Sequence, residues 1–231
     1  MKPSYRLFYA PDNASLIIRL VLEELQLPYE THLVDRTVSA QKSPEYLAVN
    51  PSGKIPALET PDGTISEVGA ILLYLSETHQ ALAPQSGEKD RPAFLKWLFF
   101  ISNTLHPDLI MQFYLHRYGP EDTQPELRKR TSARLQTHLG LLDELAGNSS
   151  ILGADRLSVL DYYVATCLRW SALYPQGETG WFDLTDYPAL HALCERLEHR
   201  AAVRAAIDAE GLGPTPFSMP HYACPPEGAA L

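Results

Sequence analysis

The sequence predicts an α/β domain followed by an all-helical one. Three observations carry this. Short apolar runs alternate with helix-period stretches through residues 1–81. The polar stretch Ala83-Pro84-Gln85-Ser86-Gly87-Glu88-Lys89-Asp90 then interrupts the pattern. Beyond it only helical periodicity remains, until a breaker-rich end. The expected layout is an α/β domain over 1–81, a linker over 82–90, a helical bundle over 91–212 and an irregular tail over 213–231.

Tyr5 to Ala10 is apolar enough for a buried strand. Ala14 to Leu27 spaces Leu16, Ile17, Leu20, Val21 and Leu25 along one helix face. Glu30 to Val34 alternates as a second strand does, and Ser43 to Val49 suits a short helix. Asn50-Pro51-Ser52-Gly53 is a turn cluster. Ile55-Pro56-Ala57-Leu58 is too apolar for a loop, yet Pro56 denies a ladder hydrogen bond to any central strand; at the mouth of a strand it suggests a fixed turn, for which a cis bond is one form. Asp62-Gly63 marks a hairpin. Glu67 stands where a helix begins, with Ile71, Leu72 and Leu75 at helical spacing behind it, to about His79. A helix start offers unpaired N–H groups and a dipole suited to an anion. The order is βαβαββα.

In the second half, Arg91 to about Tyr118 is one long helical segment, with Pro107 expected to kink or break it. Gln124 to Leu145 carries a seam of Leu135, Leu139, Leu142 and Leu145. Ser158-Val159-Leu160-Asp161 reads as a capping box for a third helix, buried through Tyr162, Val164, Ala165, Leu168 and Ala172. Tyr187 to Leu197 opens on Pro188, and a last helix covers Ala201 to Glu210. The tail holds Pro214, Pro216, Pro220, Pro225 and Pro226; such a segment either covers the active site or stays disordered.

The run from Asn50 through Glu67 to Leu75 resembles the glutathione-binding half of the thioredoxin-like domain of glutathione S-transferases. The resemblance extends over nearly the whole chain except the tail, and the Ser158/Asp161 box has its counterpart in that family's C-terminal helical domain. It implies glutathione as co-substrate and a cis bond at Pro56. The backbone of Ile55 would pair with the cysteinyl part, Glu67 would hold the γ-glutamyl ammonium, and the Val68 N–H would bind the γ-glutamyl carboxylate. Val68 departs from the commoner Ser and loses a hydroxyl contact. Lys42 and Lys54 could approach the glycyl carboxylate.

A transferase of this kind must lower the pKa of a thiol that near pH 7 is only a few per cent ionised. A hydrogen bond to sulfur near a helix N-terminus does this. The segment Tyr9-Ala10-Pro11-Asp12-Asn13-Ala14-Ser15-Leu16 is similar to the bacterial beta class, which reads Tyr-Ser-Pro-Gly-Ala-Cys-Ser-Leu. Tyr9, Pro11, Ser15 and Leu16 match, but Ala14 replaces the cysteine, so disulfide chemistry at that residue is excluded. Three donors remain. Asn13 offers an amide but could simply cap or turn the chain. Ser15 offers a hydroxyl at an often structural position, and Tyr9 offers a phenol that in beta-like members packs in the core.

Trp97 to His106 resembles the beta-class Trp-Leu-Asn-Tyr-Ile-Ala-x-x-Leu-His, whose His reaches the glutathione sulfur from the helical domain. A lone His on an apolar helix is otherwise a core residue. Phe99 replaces the accompanying Asn, and Asn103, three residues before His106, could replace its polar group. The acceptor pocket is expected between the domains, with Phe113, Tyr114, Tyr163 and Trp170 as candidate walls; aromatics at this spacing also serve as core.

The net charge of −9 without a basic stripe argues against nucleic acid and anionic membranes. No apolar run reaches the length of a membrane span. Cys167, Cys194 and Cys224 suggest reduced thiols in a cytoplasmic protein, the first two in the core. The eight histidines are scattered and form no metal motif. The resemblance implies a detoxifying homodimer acting on a small hydrophobic or electrophilic substrate. Two other readings stay open: a binding protein that has lost turnover, as Ala14, Val68 and Phe99 suggest, and a glutathione-dependent isomerase or lyase.

Overall fold

The computed structural model describes residues 5–230. Its contacts divide the chain into two compact units. One holds the residues up to Ala81 together with Leu197 onward; the other runs from Leu82 to Arg196.

The first unit is built on a four-stranded mixed sheet in the order β2-β1-β3-β4. It contains β1 (Tyr5–Tyr9), α1 (Ser15–Glu24), β2 (Tyr29–Leu33), α2 (Pro44–Val49), β3 (Ala57–Thr60), β4 (Gly63–Ser66) and α3 (Val68–Thr78). Strands β1 and β2 are parallel, with Tyr9 opposite Leu33. Strand β3 is antiparallel to β1, with Phe8 opposite Ala57, and β4 is antiparallel to β3, with Ala57 opposite Ser66. This is the thioredoxin-like order that the sequence predicts. The register has a functional consequence: His32, Phe8, Ala57 and Ser66 form one row near the end of the sheet, with Leu33 and Tyr9 one residue beyond it on β2 and β1 and Pro56 and Glu67 flanking β3 and β4.

Helix α1 is buried on more than one face. Leu16, Ile17, Leu20 and Val21 are fully enclosed as expected, but so are Ile18 and Leu22. The reason is α9 (Ala201–Glu210), which packs against α1 within this unit. The sequence placed α9 and the tail beyond the α/β domain; the chain in fact returns to it. The return is ordered. Glu198 accepts hydrogen bonds from the N–H groups of Phe217 and Ser218, both at 2.8 Å, and Phe217 is 1 % exposed. The Cys224 N–H donates to the Gly211 carbonyl at 2.9 Å. Gly211 has φ +63°, and a Cβ there would lie 2.0 Å from the Cys224 carbonyl oxygen, so only glycine fits.

The second unit is helical: α4 (Arg91–Phe100), a π-turn (Ile101–Leu105), α5 (His106–Phe113), α6 (Gln124–Asn148), α7 (Val159–Leu173) and most of α8 (Pro188–Glu198). Pro107 lies just after a π-turn that separates α4 from α5. It has no N–H to give to the carbonyl four residues back, and its ring would clash there. The turn widens instead, and the His106 N–H bonds to Ile101, five residues earlier. The segment ends at Phe113, followed by a short 3-10 turn at Leu115–Arg117.

Helix α7 is the core of this unit and is started by the expected capping box. The Asp161 carboxylate accepts from Ser158 N–H at 2.6 Å and from Gly153 N–H at 2.7 Å. Burial pushes this carboxyl up to about 6 against the pull of those N–H groups. Its folded pKa thus lies above its unfolded 3.8, so its contribution to stability falls as pH rises between these values and is flat above. Asp161→Ala would orphan two buried N–H groups. We expect it to lower unfolding free energy by about 2–4 kcal/mol in urea titration at neutral pH.

Candidate active site

The row across the sheet end places the sequence candidates of the first unit together. Val34 follows Leu33 on β2, Ala10 follows Tyr9 on β1, Pro56 precedes Ala57 on β3, and Glu67 follows Ser66 on β4. Two helix N-termini open on the same end: α1 after the loop from Ala10 to Ala14, and α3 after Glu67.

The loop before β3 is fixed from beneath. Asn50 is 3 % exposed; its Nδ2 donates to the Lys54 carbonyl at 2.7 Å and its Oδ1 accepts from Ser52 Oγ at 2.9 Å. Tyr46 donates its hydroxyl to the same Lys54 carbonyl at 2.6 Å. Ile55 packs its side chain on the cluster of Phe8, Val34, Tyr46 and Ala57. Its own N–H and C=O lie outside the β3 ladder, which begins at Ala57. The Ile55–Pro56 bond is cis. Lys54 and Lys42 are exposed.

Glu67 is exposed and has φ 70°, ψ 118°, a region in which a side chain is strained. It makes no capping bond of its own to α3. The Val68 N–H is the first of that helix and so lacks an intrahelical acceptor. Together they present a carboxylate beside an N–H group, a pair suited to the ammonium and carboxylate of one amino acid.

The loop from Ala10 to Ala14 carries the thiol-donor candidates. Ser15 is fully buried; its Oγ donates to the Ala10 carbonyl at 3.0 Å and accepts from the Ala10 N–H at 3.2 Å. Its hydroxyl closes the loop through both of these bonds. Tyr9 donates its hydroxyl to the Glu227 carboxylate, and the Arg19 guanidinium lies 4.7 Å from its ring centre. Burial and then Glu227 push the phenol above the usual tyrosine range. In this arrangement Tyr9 has no proton to offer a thiol. Asn13 is half-buried, and its Oδ1 accepts from the Ala14 N–H at 2.8 Å, leaving its NH2 as a donor end. It does not act as the N-cap, which is Ala14 and carries no side-chain cap.

The sequence reading missed the layer that holds this loop. Glu210, fully buried at the end of α9, accepts from Asp12 N–H at 2.8 Å and from Arg19 Nε at 2.7 Å. Asp12 has φ 48°, and its N–H bond to Glu210 ties this left-handed turn in place. One sequence signal existed. An acid in the last turn of a helix opposes the helix dipole and calls for a partner.

In the second unit, His106 opens α5 straight after the π-turn. Its Nδ1 meets the Tyr163 hydroxyl at 2.8 Å, and its ring packs on Trp170 at 5.4 Å between centroids. Tyr163 and Trp170 are 1 % and 4 % exposed. Both are buried and hold the His106 ring. Phe113 and Tyr114 are half-buried and touch each other edge to face. Asn103 is exposed and accepts from Ser102 Oγ at 3.0 Å. The three-residue spacing between it and His106 runs through the wider π-turn rather than an α-helix.

Among the described residues no group of three His, Cys, Asp or Glu side chains is placed to hold a metal ion. No helix there is long and apolar enough to cross a membrane. Cys167 and Cys194 are buried and Cys224 is exposed.

Known proteins share this architecture and sequence. Residues 14–78 match the family described as glutathione S-transferase, N-terminal domain, and residues 125–196 match glutathione S-transferase, C-terminal domain. The glutathione S-transferase GST-4.5 of Xanthomonas campestris is 31 % identical over 215 residues, covering 90 % of this chain and 99 % of that protein. The disulfide-bond oxidoreductase YfcG of Escherichia coli is 32 % identical, covering 90 % and 96 %. A sphingomonad glutathione S-transferase solved with glutathione superposes with a TM-score of 0.75 at 33 % identity, covering 90 % of this chain and all of that one.

Proposed function

The chain belongs to the glutathione S-transferase family, and from that premise we propose how it handles its co-substrate. It is a glutathione-dependent, transferase-like enzyme. The observation that supports the site is the row across the sheet end, which gathers Ile55, Pro56, Glu67 and Val68 with the loop before α1. Glutathione lies along that row. Glu67 takes the γ-glutamyl ammonium and the Val68 N–H takes its carboxylate. The Ile55 backbone, outside any ladder, pairs with the cysteinyl residue. The thiol then points to the N-terminus of α1, where Asn13 donates its NH2 to sulfur. The glycyl carboxylate is left to Lys42 or Lys54.

The chemistry needs no protein nucleophile. Ala14 offers none, so the sulfur that reacts is that of glutathione. The thiol gives its proton to solvent and the thiolate attacks an electrophilic carbon, expelling a leaving group with its electron pair. The same thiolate can attack one sulfur of a disulfide, releasing the other as thiolate; the likeness to the Escherichia coli oxidoreductase makes this the second reaction to assay. Turnover should be modest, since Ala14, Val68 and the exposed Phe99 each remove a polar group found in related sites. His106 remains a proposed assistant, with its ring pinned by Tyr163 and Trp170. A homodimer working in the cytoplasm on small hydrophobic electrophiles completes the reading.

The test is calorimetric titration with glutathione beside the ultraviolet thiolate absorbance of the complex. Saturable binding with a thiolate band at neutral pH is expected. Asn13→Ala should raise the bound thiol pKa by about 1–2 units, the worth of one charge-assisted hydrogen bond. Ser15→Ala should leave that pKa unchanged. Failure to bind millimolar glutathione would overturn the proposal.

A further inference from the structure

The end of the chain crosses the candidate site, and it does so in two distinct parts. The root, Gly211 to Cys224, is locked by the Gly211–Cys224 contact, by Glu198 and by the buried Phe217. The tip, from Pro225 to Ala230, carries little apolar anchorage: Pro-Pro-Glu-Gly-Ala-Ala. Two polar contacts reach it. Tyr9 donates its hydroxyl to Glu227, and Arg36 Nη1 donates to the Ala230 carbonyl at 2.9 Å. Between them, Gly228 lies so close to Leu33 that a Cβ would fall 2.8 Å from its Cδ1, with Pro11 also in contact range. Tyr9 and Leu33 end β1 and β2, with Pro11 and Arg36 just after them; Ile55, Glu67 and Val68 flank the same end of β3 and β4.

Reach decides whether the two halves interfere. Neighbouring strands lie about 4.8 Å apart, so β4 to β1 spans roughly 10 Å. An extended tripeptide spans about 10–11 Å. A ligand anchored at Glu67 and Val68 therefore reaches β1 with its cysteinyl thiol, where Glu227 sits on Tyr9. We infer that residues 225–230 are an autoinhibitory strap. Glu227 occupies the β1 end of the glutathione site, and the strap must lift for the co-substrate to seat fully. Lifting has a chemical consequence. It releases the Tyr9 hydroxyl from Glu227, the partner to which it now donates. The carboxylate of Glu227 would also repel the carboxylates of glutathione, which sharpens the competition. The stiff Pro225-Pro226 pair at the junction makes the tip move as a unit. This inference rests on the proposed glutathione site.

The experiment compares glutathione affinity, by calorimetry, in the full chain, a chain ending at Cys224 and the full-length Glu227→Ala. The shortened chain keeps the whole root and so its folding contacts. Both variants should bind roughly tenfold more tightly, the value of one charged hydrogen bond relieved. In the full chain, glutathione should speed hydrogen exchange at the amides of Glu227 to Ala230. Equal affinity in all three proteins, with unchanged exchange in the tip, would overturn the strap while leaving the site intact. Absence of binding in all three would instead overturn the glutathione site, and the strap with it.

Discussion

Replacing Glu67 with glycine is expected to stabilise the fold and cripple its site at once. Glu67 sits at φ 70°, ψ 118°, where any side chain is strained and glycine is not. Relief of that strain should add about 1 kcal/mol to unfolding free energy, read by urea titration. The same substitution removes the carboxylate proposed to hold the γ-glutamyl ammonium. A charge-assisted bond of this kind contributes about 1.5–3 kcal/mol, so glutathione affinity should fall roughly 10- to 150-fold. Glu67→Gln separates the two effects: binding should weaken while stability stays near the parent value. A stability gain with unchanged affinity would remove Glu67 from the site. Opposite signs at one residue are the mark of strain retained for function.

The second large effect is expected at Glu210, which looks like an ordinary helix-end acid in the sequence. Glu210→Ala would leave Arg19 buried without its 2.7 Å partner and Asp12 N–H without its acceptor. Breaking a buried ion pair from one side costs about 3–5 kcal/mol, because a desolvated charge is stranded. Urea unfolding should register that loss. The loop holding Asn13 should loosen as well, so kcat should drop even at saturating glutathione, where affinity is no longer limiting. Arg19→Met with Glu210→Met removes both charges and leaves apolar side chains of similar length. That double variant should recover most of the stability but not the loop order, since Asp12 N–H still lacks an acceptor. If it restores kcat too, Glu210 acts only through stability.

What the sequence made legible follows from the range of the physics involved. The strands, the hairpin at Asp62-Gly63, the Ser158/Asp161 box and the run from Ile55 to Val68 depend on neighbours close in the chain, and the structure has each of them. Features set by distant partners were misread. Ile18 and Leu22 looked like the outer side of α1, because nothing local reveals that α9 covers it. Ser15 and Tyr9 carry donor groups whose availability is decided by Ala10 and by Glu227, the latter 218 residues away. The aromatic spacing on α7 suits pocket or core alike, and the spacing alone does not reveal how deeply Tyr163 and Trp170 are buried. The surroundings of Asn103 were hidden for a different reason. Helical spacing assumes an α-helix, and Pro107 converts that turn to a wider one.

The return of α9 to α1 also sets the order in which the chain can fold. Arg19 and Glu210 are separated by 191 positions, so their bond closes one of the longest loops the chain allows. Closing such a loop carries an entropic cost that local helices and hairpins avoid, which puts it late on the pathway. During synthesis, the first sheet and α1 leave the ribosome long before α9 exists. Until then Ile18 and Leu22 lack their cover. The nascent α/β unit is therefore an unfinished object while helices α4 to α8 are made, and its apolar face is the stretch a chaperone would meet first.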